Sequence, residues 1–132
     1  MGAFGGGLGG NGEVCGAAAG ALAVMGLRFS RASAAEKEDP RMWSACREVL
    51  QRFRNEIAKG HGGILCREIA RVDWHDRDAV RSFYKSDRVR ECARIVGDTA
   101  LLTGELLERA AEQDARREPP KPLLPTLEGT AP

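Results

Sequence analysis

The chain has 132 residues and a formal net charge of +1, from 20 basic and 19 acidic residues. This length predicts a single domain. Because the numbers of basic and acidic residues are nearly equal, nucleic-acid binding or a polybasic membrane-binding arm is not expected as the main function.

The first segment, residues 1–14, is rich in glycine and predicts a loop with tight turns, because glycine tolerates positive φ. Ten of the 16 glycines of the chain fall within residues 1–26. Residues 7–12 match G-x-G-x-x-G. A dinucleotide site would also need a strand before this motif, so the pattern favours a flexible turn.

Residues 15–29 predict a helix with one smooth face, formed by Gly16, Gly20 and Ala23. Glycine inside a helix costs about 1 kcal/mol relative to alanine, which favours close approach of another backbone or a ligand. The apolar run 16–27 is shorter than the ~20 residues of a membrane-spanning helix, and no basic residue precedes it. We therefore expect a cytoplasmic protein without membrane insertion, with thiols that are not permanently bridged.

The middle of the chain predicts a second helix after a polar connection at residues 30–39. Asp39 is an N-cap residue and Pro40 suits the first helical position. Apolar residues then recur at helical spacing until Gly60, which ends the helix. Residues 64–69 predict a short apolar turn that carries Cys66.

Residues 72–86 predict a loop and a short helix anchored by Trp74, Phe83 and Tyr84. Asp87 can cap a last helix of about 25 residues. The predicted apolar stripe of this helix consists of Val89, Cys92, Val96, Ala100, Thr103, Leu107 and Ala110, with Leu102 and Leu106 alongside.

No run shows the alternation of a strand, so we predict an all-α fold, a small helical bundle with a Gly-rich N-terminal loop. Residues 1–116 form its single domain. Residues 117–132 contain five of the six prolines and predict a disordered tail.

The four cysteines differ in what their positions indicate. Cys15 stands at a helix N-terminus, where the helix dipole favours a thiolate, although a small buried residue fits this position equally well. Cys46 and Cys92 lie on apolar stripes, where cysteine usually packs as a small hydrophobe, and spacing alone favours the same for Cys66. No CxxC pair is present, which argues against a zinc ribbon or a thioredoxin-type motif.

Several segments together resemble the C_GCAxxG_C_C family of redox-active proteins. They are FGGGLG at 4–9, EVCGAAAGAL at 13–22 with the family's CGAxxG motif, GL at 26–27, Phe53, LCRE at 65–68 and CARIV at 92–96. The resemblance covers residues 4–110 and implies a small helical redox protein, often prokaryotic, that works with an oxidoreductase or electron-transfer partner. The family's first cysteine lies on a helix before the Gly-rich loop, and we expect this chain to be N-terminally short relative to it.

The resemblance implies that Cys15, Cys66 and Cys92 are the catalytic thiols or metal ligands. The small residues Gly16, Ala17 and Gly20 would let a cofactor come close to them. Thiolate ligation from separated segments suits an iron–sulfur cluster, and a redox disulfide is the other form of this hypothesis.

The competing hypothesis is a non-enzymatic helical interaction subunit with buried structural cysteines. In either case, leaving the smooth Gly16/Gly20/Ala23 face in water is unfavourable. We therefore expect self-association through this face, giving a homo-oligomer, or poor solubility.

Overall fold

Six α-helices make up most of the part of the chain that this computed structural model describes, residues 2–117. They are α1 (Gly5–Leu8), α2 (Gly16–Phe29), α3 (Met42–Arg52), α4 (Cys66–Ala70), α5 (Arg77–Tyr84) and α6 (Arg88–Arg117). A 3-10 turn, Gly2–Phe4, precedes α1, and a π turn, Phe53–Ile57, extends α3. Within residues 2–117 there is no strand, only an isolated bridge between Val14 and Leu65. The all-α prediction is confirmed; the proline-rich tail that was predicted to be disordered lies outside the described residues from position 118 on.

The core lies where α2, α3 and α6 pack together. Phe53, Met25 and Val49 are its largest fully buried side chains. One cluster joins the C-terminal halves of α2 and α6 to α3. Its buried members are Ala21, Met25, Phe29, Met42, Val49, Leu102, Leu106 and Ala110. A second cluster lies toward the start of α2: Ala18, Phe53, Ala58, Ile69 and Ile95. The second cluster forms the floor beneath the cysteines described below.

The Gly-rich segment is more ordered than the predicted loop. Gly6, Gly7 and Gly9 have positive φ, so α1 is a short, irregular turn of helix that ends at once. Its carbonyl groups accept hydrogen bonds from N–H groups further along the segment. The N–H of Gly10, for example, donates to the carbonyl of Gly5 at 3.1 Å. The segment therefore folds back on itself.

The predicted stripe of α6 is wrong in two positions. Val96 and Ala100 are exposed, and Ile95 and Thr99 are buried in their place. Thr99 can be buried because its hydroxyl donates to the carbonyl of Ile95 at 2.6 Å. Leu102, Leu106 and Ala110 complete the buried stripe.

The start of α3 lies at Met42 rather than at Pro40. The Asp39 carboxylate does accept the N–H of Arg41, at 2.8 Å. The N–H of Met42 bonds to the carbonyl of Asp39 at 3.0 Å, which makes residues 40–41 a tight turn before the helix. At the other end, Gly60 follows the π turn with φ +88, in agreement with the predicted stop.

None of the helices in residues 2–117 combines the length and the apolar character needed to cross a membrane.

Candidate functional site

A single antiparallel bridge places Cys15 beside Cys66. Val14 pairs with Leu65. On one side of this pair the N–H of Cys15 donates to the carbonyl of Ile64 at 2.8 Å, and on the other the N–H of Cys66 donates to the carbonyl of Glu13 at 2.6 Å. Because Cys15 is the N-cap of α2 and Cys66 is the first residue of α4, the bridge brings two helix starts, each with a thiol, together.

The Gly-rich segment packs directly on this pair. A Cβ added at Gly7, whose φ is +71, would lie 2.5 Å from the Cβ of Cys66 and 2.7 Å from the backbone N of Glu13. No side chain fits there, so only glycine lets the loop close over Cys66. The Gly-rich composition is thus a requirement of the site, since it lets the loop approach the second cysteine.

The third cysteine, Cys92, comes from α6 and completes the group. Cys15, Cys66 and Cys92 line one cavity of about 400 Å³. The three small residues predicted to let a cofactor approach, Gly16, Ala17 and Gly20, line the same cavity. All six residues that were predicted from the sequence to form the site therefore line this one cavity.

Burial keeps two of the three thiols protonated. It raises the pKa of Cys66 to about 11, with smaller upward effects from Cys15 and Cys92 and an opposing effect from the Trp74 side chain. Burial also raises the pKa of Cys92, helped by Cys15 and Glu91. Cys15 is half-buried at the start of α2. The site therefore contains two thiols that hold their protons at neutral pH, and a third thiol, Cys15, at the start of α2.

Cys46 does not belong to this group. It is half-buried on α3 and packs against the cluster that contains Val49 and Leu102, and it is not among the residues lining the cavity. Burial raises the pKa of this thiol as well. Its placement agrees with the prediction that Cys46 packs as a small apolar residue.

Aromatic side chains form a wall of the cavity, which the sequence predicted only as anchors of a short helix. Trp74 and Phe83 pack edge to face with ring centroids 5.4 Å apart, and Phe83 and Tyr84 do so at 5.3 Å. A Cβ at Gly6 would lie 3.3 Å from the Trp74 ring, so this glycine lets the loop lie flat on the indole. The sequence signal for the wall was the grouping of aromatics within residues 74–84, in a chain where aromatics make up only 5%.

The three thiols share a cavity without forming a metal-binding set. Among residues 2–117, no group of three or more His, Cys, Asp or Glu side chains is arranged to hold a metal ion. The four cysteines, all of which lie in this range, are free thiols.

Comparison with known proteins adds one finding. A family model described as "Putative redox-active protein (C_GCAxxG_C_C)" matches residues 1–106, which contain all three cysteines of the cavity. No curated protein matches the chain significantly. No solved structure does so either.

Proposed function

The chain belongs to the putative redox-active C_GCAxxG_C_C family, and from this we propose that it is a thiol–disulfide redox protein. The observation that carries the proposal is the meeting of Cys15, Cys66 and Cys92 around one cavity. Three thiols from separate helices are one more than a disulfide needs, so two can pair while the third stays free.

Cys15 is the attacking thiol in this proposal. It is the N-cap residue of α2, a helix of 14 residues, and helix N-termini are positions where reactive cysteines occur. The Cys15 thiolate attacks one sulfur of a partner disulfide, forms a mixed disulfide and releases one partner thiol. Cys66 or Cys92 then loses its proton and attacks the Cys15 sulfur, which releases the second partner thiol. The partner gains two electrons and two protons, and this chain gains a disulfide.

The experiment is thiol counting after oxidation. Reduced protein is treated anaerobically with oxidised glutathione, the remaining thiols are alkylated, and mass spectrometry locates the disulfide. Wild type and Cys46→Ser should each lose two thiols, because Cys46 lies outside the cavity. Cys15→Ser should form no internal disulfide, and comparing Cys66→Ser with Cys92→Ser identifies the second sulfur.

The competing function, an interaction subunit with structural cysteines, makes the opposite prediction. It is favoured by the packing of Cys66 with Ala70, Val72 and Phe83, where a thiol acts as a small apolar side chain. If all thiols of the folded protein stay free and unreactive, this function replaces the redox proposal.

An iron–sulfur cluster on Cys15, Cys66 and Cys92 stays a prediction of the sequence, as does a partner oxidoreductase. Such clusters normally take four cysteine ligands, so three would leave one position for another group. Iron and sulfide determination after anaerobic purification, with a visible spectrum, tests it directly.

A further inference from the structure

The cavity beside the three thiols has a defined chemical character. Among residues 2–117, no charged residue lines it, and its only polar side-chain groups besides the thiols are the indole N–H of Trp74 and the phenol of Tyr84. The Trp74 Nε1 is buried, and its N–H faces the Cys66 sulfur, where hydrogen bonding opposes the rise in the pKa of that thiol. Burial keeps Cys66 and Cys92 as protonated thiols. The Tyr84 phenol and the protonated thiols of Cys66 and Cys92 therefore offer hydrogen-bond donors to an occupant.

The size and the walls of the cavity also limit which molecules it can bind. The volume, about 400 Å³, is that of a pocket for a small organic molecule. Phe4, Trp74 and Tyr84 give it flat aromatic walls, and Tyr84 is 64% exposed, so this side is open to entry. A planar, uncharged molecule that carries acceptors and no donors complements such a site.

We propose that the cavity binds a small neutral quinone, which the thiols reduce. This inference rests on the proposed function, since it names the electron acceptor of the same site. Two S–H bonds break and one S–S bond forms. Two electrons and two protons pass to the quinone, where two O–H bonds form and give the hydroquinone. Substrate and product are both uncharged, which matters because no charged side chain among residues 2–117 lines the cavity to pair with an ionic ligand.

The binding test uses duroquinone, whose fully methylated ring blocks addition of thiols to the ring carbons. Tryptophan fluorescence reports its binding, because the chain has two tryptophans and only Trp74 lines the cavity. The protein is a Trp43→Phe variant with Cys15, Cys66 and Cys92 changed to serine, so that no electron transfer occurs. Saturable quenching of Trp74 is expected; its absence overturns the proposal.

Two matched substitutions on α6 locate the bound quinone. Val96 lines the cavity and is 56% exposed, whereas Leu101 is 70% exposed and lies away from it, so each position accepts a charge without unfolding the helix. Val96→Asp should weaken binding at least about tenfold, because it places a charge against an apolar ligand. Leu101→Asp should stay within about twofold of the parent. Equal effects of the two changes would contradict binding in the cavity.

Electron transfer is measured separately with the native cysteines. Anaerobic mixing with reduced protein should bleach the duroquinone absorbance with one disulfide formed per quinone. If oxidised glutathione produces the disulfide and duroquinone does not, the quinone proposal fails and the thiol–disulfide function stands. If neither oxidant produces a disulfide, the proposed function itself fails.

Discussion

Gly16 and Gly20 lie one helical turn apart on α2 and differ in their surroundings. A Cβ at Gly16 would collide with the carbonyl oxygen of Phe4, whereas a Cβ at Gly20 would meet nothing within 4 Å. The first glycine lets the N-terminal turn rest on the helix. The second leaves the surface of α2 open.

These surroundings predict opposite effects of the same substitution. Gly16→Ala should lower the free energy of unfolding by about 1–3 kcal/mol, the usual cost of overpacking. Gly20→Ala should raise it by about 0.5–1 kcal/mol, because alanine favours the helix and meets no clash. Urea denaturation of both variants measures the difference. Similar effects at the two positions would show that the turn at Phe4 does not pack on α2.

At the residue scale, a local pattern predicted the position of Cys15 in the fold. A cysteine between a Gly-rich segment and an apolar helical run marks a helix start, and Cys15 is the N-cap of α2. Spacing alone favoured packing roles for Cys66 and Cys92, since no local pattern reports a contact between distant helices. The prediction that Cys66 and Cys92 belong to the site came from the resemblance to the family and not from helical periodicity.

At the element scale, an ion cluster ties three helices together. Arg41, just before α3, pairs with Asp39 at 2.5 Å and with Asp114 of α6 at 2.9 Å. Arg28, near the end of α2, also pairs with Asp114. Both guanidinium groups lie 5.2 Å from the centre of the Phe29 ring. The cluster fixes the end of α2 against the start of α3 and the last turns of α6.

This cluster predicts a loss of stability in acid. The hydrogen bond from Arg41 lowers the pKa of Asp39 from 3.8 to about 2. Because the folded state holds the proton less tightly than the unfolded state, its stabilising effect is complete above pH 3.8 and is lost as the pH falls through about 2. Urea denaturation between pH 5 and 2 should show this loss in wild type and a shallower one in Asp39→Asn.

The matched control for Asp39 is Asp87→Asn. The Asp87 side chain is 90% exposed, and within the described part of the chain its ion pair is with Arg90, three residues away. Exposed pairs of this kind contribute little to stability. The control should therefore keep the wild-type acid dependence, and an equal flattening in both variants would assign the effect to general charge rather than to the cluster.

The error in the α6 stripe has a physical cause. Residues three and four apart share a helix face, and both the predicted and the observed stripe satisfy that spacing. The predicted stripe ran from Val89 and Cys92 to Val96 and Ala100, whereas the observed stripe passes through Ile95 and Thr99. Burial of Thr99 became acceptable once its hydroxyl bonded to the Ile95 carbonyl, a local bond that composition does not reveal.

At the scale of the whole molecule, an open groove runs between α2 and α6. Its volume is about 450 Å³, and Gly20, Val24, Ala100 and Leu107 are among the residues that line it. It continues the smooth face of α2 that the sequence predicted to be unfavourable in water. The fold thus leaves this face open at Gly20, while the N-terminal turn packs on Gly16.

We expect the protein to self-associate through this groove, because burying apolar surface is favourable. Light scattering should show a mass that rises with concentration. Ala100→Glu, in the groove, should weaken association at least about tenfold, as an unpaired charge would become buried. Ala111→Glu, on the exposed side of α6, should leave it unchanged; a monomer at every concentration would refute the expectation.

The placement of charge along α2 gives the two ends of the molecule different responses to ionic strength. Cys15 stands at one end of this helix and the ion cluster around Arg28 at the other, separated by 14 residues or about 20 Å of helix. The Debye length at physiological salt is about 8 Å, so the two ends are electrostatically independent. Added salt should weaken the junction of α2, α3 and α6, whereas the packing of the thiol cavity, which no charged side chain among residues 2–117 lines, should change little. Ionic strength should therefore loosen the end of α2 that carries Arg28 more than the end that carries Cys15.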